Sequence, residues 1–352
     1  MTERELNAIA KENYLNALDH KPTYWQPVEG ENLVYAGFEA CNMEKGPRGG
    51  GYDGFGVRWV APNSGGGTVL PAPNEFVLKD IDEWRSITIP SVEEHDWSLE
   101  LAALNGVDRA TNAIDYASGN GHFERLAALM GFENALISMA MNPDAVNELF
   151  ERITRFKIDV VHKVKKLFDP DTFTLYDDVA TQSSPFMSPT VYRELIAPHH
   201  KRVAEACLEE GIRPILHCCG YAEPLVDSFV KEGFVAWSSV QPSNNILGIL
   251  KQYGNRFCIS GGYDTNGVPG STCDEDIIRQ EVLRCYDTYG GLPGYIFAGF
   301  ALQPPEEGVD IGNVWAPTSI IFENAIPLGH ERAGISGQTK VTEFSTEFWF
   351  GE

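Results

Sequence analysis

Between residues 172 and 300 the chain alternates short apolar runs with amphipathic helical stretches, and this rhythm constrains the fold more than any other feature. TFTLYDD (172–178), PILHCC (214–219), FVAWSSV (234–240), RFCISGG (256–262) and GYIFAGF (294–300) read as buried strands. The segments 188–211, 223–233, 243–254 and 272–291 read as helices. Ser188 caps the first, with Pro189 at its start and Gly211 at its stop; Thr272 and Glu275 read as a capping box for the last. Such alternation predicts a parallel sheet, because each parallel pairing needs a crossover, usually a helix. No Gly-x-Gly-x-x-Gly opens a helix after a strand, which argues against a dinucleotide-binding doubly wound sheet. Polar residues gather instead at the C-terminal ends of the strands: Asp177, Asp178, His217, Cys219, Gln241, Asp264 and, just beyond the last, Gln303. That face carries the active site in (β/α)8 barrels. The expectation is one distorted TIM-type (β/α)8 barrel domain over 1–352.

Upstream, 142–168 reads as a long helix capped by Asn142 with Pro143 in its first turn. Residues 1–95 read as a helical and then Gly/Pro/aromatic-rich extension packed on the barrel. Its GGGYDGFGVRW stretch lacks the Lys-Ser/Thr of a phosphate loop and is expected to serve as a lid or wall.

The formal net charge of −23 argues against nucleic acid and anionic membranes as partners. No run of about 18 uncharged apolar residues exists, so no membrane span is expected, and the charged N-terminus does not look like a signal peptide. Cytoplasm is the expected location. Seven irregularly spaced cysteines do not form a disulfide framework. Cys207, Cys258 and Cys285 read as core, and Cys273 as exposed.

The segment PILHCCGYAEP contains the sharpest chemical signal. On a strand, alternate side chains share a face, so His217 and Cys219 lie together, with Cα atoms roughly 6–7 Å apart, while Cys218 points away. Such a pair can grip one soft metal ion. A third ligand would come from Asp177, Asp178 or Glu223, among which spacing does not choose. Two carboxylates ending an apolar run are costly unless used, and at most one of Asp177 and Asp178 is expected to face the barrel mouth. Asp264, after ISGGY, reads either as catalytic or as a simple turn. His199 and His200, beside Pro198, read as a solvated helix face.

In order along the chain, NYLNALDHKPTYWQPV, YDGFGVRW, FERLAALMGFENAL, DDVATQSSPFMSPTVYRELIAPHHKRV, ILHCCG, VQPSNNILGILKQYGNRFCISGGYDT and GYIFAGFALQPP resemble the uroporphyrinogen decarboxylase superfamily. The resemblance implies a distorted (β/α)8 barrel. It is similar in motif to the cobalamin-dependent methyltransferases, whose His-x-Cys-Gly strand end binds zinc; His217, Cys219 and Gly220 match it. Coenzyme M-methylating members add a cysteine after the last strand, where this chain has Phe300 and Ala301. Asp177, Asp178 and Gln182 resemble the O-demethylase type, which moves a methyl group from a methoxylated aromatic substrate to a corrinoid protein. The resemblance thus implies zinc at His217 and Cys219, with Asp178 or Glu223 completing it, and a corrinoid supplied by a partner protein. Asp177, Asp178 and Asp264 would act in catalysis. Gln182, Gln241 and Gln303 would line the pocket, and Tyr24, Trp25, Phe55 and Trp59 would pack the aromatic substrate. Alternatives are a decarboxylase-like lyase and a non-catalytic metal- or ligand-binding barrel. The decarboxylases use N-terminal arginines, and this chain has none between Arg4 and Arg48.

Overall fold

The computed structural model describes residues 2–37, 43–47, 49–61, 69–301 and 316–341. Among them, strand β1 (Leu33–Gly37) is followed by β2 (Gly51–Tyr52), β3 (Arg58–Val60) and β4 (Leu70–Pro71), which form a small antiparallel sheet. Then come β5 (Ala113–Ser118), β6 (Thr172–Tyr176), β7 (Arg213–His217), β8 (Ala236–Val240), β9 (Cys258–Gly262) and β10 (Tyr295–Ala298). The main sheet is parallel throughout, in the order β1-β5-β6-β7-β8-β9-β10, and curls into a distorted TIM-type barrel wall. It has seven named strands among the described residues; a single parallel bridge from Val28 to Phe297 extends it beyond β10.

The period of two predicted for strands sorts the side chains. Tyr35, Asp115, Thr174, Ile215, Ser238, Ser260 and Ile296 line a common cavity inside the wall. Their neighbours Leu175, Leu216, Trp237, Ile259 and Phe297 face outward into the main core beneath the helices. The largest helix, Pro143–Phe168, buries Val146, Leu149, Phe150, Ile153, Val160, Val161 and Val164, the face its spacing predicts. Asn142 stands at its N-cap without a side-chain capping bond.

Three local readings are corrected. The helix expected over 188–211 is two helices, Pro189–Leu195 and Ala197–Glu209. Pro198 has no N–H to donate and its ring crowds the carbonyl four residues back, so the first helix ends before it. The last crossover helix, Glu275–Tyr289, is capped by Asp274, whose carboxylate accepts from the N–H groups of Asp276 and Ile277. Thr272 instead accepts from the Asp274 N–H. Finally, β1 lies within the stretch read as an extension and belongs to the main sheet, and β5 precedes the point where the rhythm becomes readable.

The segment around residues 43–61 is fastened over the C-terminal end of β5 by two buried ion pairs. Asp53 receives Arg125 at 2.6 Å and the Trp59 indole N–H at 3.0 Å. Glu44 receives Lys157, whose ammonium also donates to Ser118 Oγ at 2.9 Å and to the Gly119 carbonyl at 2.6 Å. All four charged side chains are almost inaccessible to water. Removing one partner strands the other charge in a medium that solvates it poorly. Lys157→Met is therefore expected to lower the unfolding free energy by about 3–5 kcal/mol, measured by urea denaturation. Adding Glu44→Leu should restore much of the loss.

Candidate metal centre

The register of the parallel strands builds this site. His217 ends β7, and pairing sets Tyr176 of β6 on one side of it and Ser238 of β8 on the other. The Tyr176 ring stacks on the imidazole at 4.1 Å. Ser238 Oγ lies 3.1 Å from His217 Nδ1, which leaves Nε2 turned toward Cys219. Burial alone pushes the His217 pKa down to about 3, so at neutral pH the ring is uncharged and keeps a lone pair for a ligand.

Cys219 shares the face of His217, with Sγ 3.5 Å from Nε2. Cys218 is turned away: it is buried, and its carbonyl accepts the Trp237 indole N–H. Asp178 completes a cluster in which the three ligand atoms of Asp178, His217 and Cys219 lie within 4.8 Å of one another. Zinc–nitrogen and zinc–sulfur bonds of usual length, at a tetrahedral angle, put N and S roughly 3.6 Å apart. The observed separation fits that edge. One nitrogen, one sulfur and one carboxylate oxygen are the donor types zinc takes, and three protein ligands leave a fourth position for a substrate.

Several local devices hold these groups. The Cys219 N–H donates to Asp178 Oδ1 at 2.6 Å. Gly220 follows with φ +86°, and a Cβ there would stand 2.4 Å from the Thr181 carbonyl oxygen, so no other residue fits the turn without displacing backbone. In β8 the register shifts between Trp237 and Val240, and Ser239 adopts φ +65°. Consecutive strand residues ordinarily face opposite ways. This bulge lets both serines reach the site, Ser238 at His217 and Ser239 at Cys219, where Oγ lies 3.3 Å from Sγ.

The electrostatics favour a cation. Burial raises the Asp178 pKa to about 6; the Cys219 N–H opposes the rise, Asp177 adds to it and Lys45 offsets it. Burial and then Asp178 push the Cys219 thiol up. Glu124, on the helix His122–Met130, is raised well above the usual carboxylate range by burial, then by Asp178 and Asp177. Each of these acids resists ionising first because it is buried and then because of a neighbouring acid; a bound positive ion would oppose both effects.

Asp177 points the other way. It is fully buried and accepts the Phe123 and Glu124 N–H groups at the start of the helix His122–Met130, at 3.1 and 2.9 Å. Gly121 makes room for it, since a Cβ there would meet Asp177 at 2.3 Å. Its Oδ2 also meets His200 Nε2 at 2.8 Å. His199 and His200 are thus not a solvated face: both are buried, His199 between Thr154 and Asn147, His200 among Asp177, Glu232 and Tyr192. Pro198 turns the second helix so that both rings enter the interior. His122, Asp177 and His200 form a second group with metal-ligating geometry, wholly buried.

The other expected site residues are dispersed. Glu223 accepts the Asn245 N–H at 2.8 Å, at the start of a helix, and is outside the His217 cluster. Gln241 is buried and bonded to Thr265 and Asn266. Asp264 closes a turn by accepting the Gly267 N–H at 2.9 Å. Gln182 is exposed on the loop after β6. Trp25 lies in a cleft with Gly254, Pro293 and Gly294, at the N-terminal ends of β9 and β10, on the face opposite the cluster; Tyr24 beside it is half-exposed. Phe55 and Trp59 are buried, Phe55 against Arg125 and Phe156. Gln303 lies outside the described residues. Glu124, Lys45, Ser238 and Ser239 escaped the reading: nothing local marks a glutamate early in a helix, or a serine pair in a strand, as facing a site assembled from distant segments.

The His200 environment has a pH signature. Burial disfavours its charged form, but the bonds to Asp177 and Glu232 outweigh this and raise the pKa to about 9. The unfolded ring titrates near its ordinary 6.5. Its contribution to stability is therefore complete below about pH 6.5 and lost as pH rises through about 9. Thermal unfolding of the wild type should weaken across that window, and His200→Gln should be less stable at pH 6.5 with a flatter profile.

The uroporphyrinogen decarboxylase (URO-D) family model matches residues 63–307. Among solved structures, a methyltransferase from Methanosarcina mazei superimposes with a TM-score of 0.64 at 16% identity, covering 89% of this chain and 98% of that one. A mannonate dehydratase from Streptococcus suis gives a TM-score of 0.36 at 12% identity, covering 70% and 93%. No curated protein sequence matches. No described helix is long and apolar enough to cross a membrane. With the family model spanning more than two-thirds of its length on a barrel of this kind, the chain belongs to the uroporphyrinogen decarboxylase family.

Proposed function

We propose that this protein is a metal-assisted methyltransferase that moves a methyl group from a methoxylated aromatic substrate to the cobalt of a corrinoid carried by a partner protein. The observation that carries the reading is the meeting of Asp178, His217 and Cys219 at the C-terminal ends of β6 and β7. The likeness in fold to a protein described as a methyltransferase supports it.

In the proposed reaction the cobalt(I) corrinoid, a co-substrate, attacks the methyl carbon. The carbon–oxygen bond breaks with its electron pair on oxygen, and the oxygen takes a proton to leave as a phenol. The chain itself needs no covalent nucleophile. A zinc ion held by His217, Cys219 and Asp178 would act as a Lewis acid on the ether oxygen, an effect worth several kcal/mol. Ser238 and Ser239 hold the His217 ring and the Cys219 thiol in place. Glu124 is the proton source: burial and the neighbouring Asp178 and Asp177 favour its protonated form, and it lies close enough to Cys219 to raise that thiol.

A second reading, decarboxylation, follows from the name of the family model. Metal analysis and activity together separate the two. The purified protein is expected to hold about one zinc per chain, and His217→Ala to lose it together with ~10²-fold or more of the methyl transfer from a methoxybenzene to reduced corrinoid protein. Carbon dioxide release from a porphyrinogen by metal-free protein would establish the lyase instead. Glu124→Gln should keep the zinc but lower kcat by about 10²–10⁴, followed as the absorbance change of the corrinoid.

A further inference from the structure

Inside the barrel wall, beneath the cluster at the strand ends and sharing Tyr176 and Ser238 with it, lies a narrow cavity of about 10 Å³, room for about one water-sized sphere. TIM-barrel interiors are ordinarily filled by branched apolar residues. This one keeps Leu18, Leu33, Ile215 and Ile296 on its wall but adds two carboxyl groups, Glu29 and Asp115, and hydroxyls that include Tyr35, Thr174 and Ser260. No lysine, arginine or histidine is among the described residues lining it.

The hydrogen bonds show how the carboxyls are held. Asp115 Oδ1 accepts two hydroxyls, Thr172 at 2.6 Å and Thr174 at 2.8 Å. Glu29 accepts Tyr35 at 3.1 Å on Oε1 and Ser260 on Oε2. All four hydroxyl oxygens lie within hydrogen-bond reach of carboxyl oxygens, an arrangement in which both acids can be held as acceptors. Asp115 Oδ2, on a residue only 2% exposed, has no hydrogen-bond partner among the described residues. Two ionised carboxyls facing one narrow cavity repel each other, and no cationic side chain among the described lining residues offsets them. Burial and the neighbouring Glu29 raise the Asp115 pKa to about 7, so protons alone would not keep the pair neutral in mildly alkaline solution.

We infer that the barrel interior is a binding site for one dehydrated hard cation of sodium or calcium size, held by Asp115 Oδ2, the Glu29 carboxylate and the surrounding hydroxyl oxygens. The donor set is oxygen only, which suits hard cations and excludes the zinc chemistry of the strand-end cluster. The cavity is too narrow for an ion that keeps its water shell, which disfavours magnesium. Such an ion would lock β1, β5, β6 and β9 together from the inside.

The test is thermal unfolding of the full-length protein at pH 8, after dialysis against a chelator into a buffer whose only cation is N-methylglucamine. Sodium, calcium, magnesium and choline chlorides are then titrated separately. Sodium or calcium should raise Tm saturably by about 2 °C or more, and which of them does so identifies the ion. Magnesium and choline should not. Asp115→Asn and Glu29→Gln should each abolish the rise, and Ser260→Ala should weaken it; circular dichroism without added ion checks that the variants fold. Should Asp115→Asn fail to fold, Ser260→Ala and the ion content of dialysed wild type carry the test. The inference is overturned if no ion raises Tm beyond choline, or if the rise survives intact in a folded Asp115→Asn or Glu29→Gln protein. It is equally overturned if stability at zero added ion falls with pH near 7 while sodium and calcium have no effect, because protons alone then neutralise the pair.

Discussion

The hydrogen bond from the Cys219 N–H to Asp178 Oδ1 joins the ends of two neighbouring parallel strands, and the candidate centre depends on it. Beyond β6 and β7 the regular ladder stops, and side chains take over the pairing. The Asp177 N–H still donates to the His217 carbonyl at 3.1 Å. One residue later the backbone of β7 turns at Gly220, and the Asp178 carboxylate receives the amide that a continuing strand would have paired. The bond aims Asp178 at the face shared by His217 and Cys219, so that a turn in the backbone becomes three converging ligands.

The paired aspartates illustrate how strand alternation divides labour. Asp178 faces the barrel mouth among Cys219, His217 and Glu124. Asp177 faces the shell of helices, where it caps the helix His122–Met130 and holds His200 in the charged state. That helix carries Glu124, so Asp177 sets the position of the acid that Asp178 perturbs. A similar division operates in β8, where a bulge and one left-handed residue direct two adjacent serines to the same site. The strain of a left-handed serine is of order 1–3 kcal/mol, and it persists because Ser239 reaches the thiol by that route.

Much of this was legible from residue order. The strands 172–178, 214–219, 234–240, 256–262 and 294–300 were readable because both of their faces are buried and their apolar runs are continuous. The pairing of His217 with Cys219, and the exclusion of Cys218, followed from a period of two. β1 and β5 were not readable, because LVYAG and AIDYAS mix polar and small residues that face the unusual polar interior. His199 and His200 were misread because their neighbours are basic, while the turn at Pro198 that inverts their exposure leaves no mark on periodicity. Trp25, Phe55 and Trp59 looked like an aromatic clamp by type alone; Phe55 and Trp59 follow the route of an irregular segment fixed by Asp53, Arg125, Glu44 and Lys157, whereas Trp25 is held by Glu31 and His330. Sequence spacing did not separate Glu223 from Asp178 as candidate ligands; in the fold Glu223 accepts the N–H of Asn245, the residue that caps the next helix.

The central claim is that one imidazole, one thiolate and one carboxylate bind the same ion. X-ray absorption at the zinc edge of the purified protein measures this directly. The account predicts one sulfur neighbour at about 2.3 Å beside nitrogen and oxygen neighbours near 2.0–2.2 Å, with the sulfur shell lost in Cys219→Ser. A protein that retains no metal, or a spectrum with no sulfur shell, would contradict it.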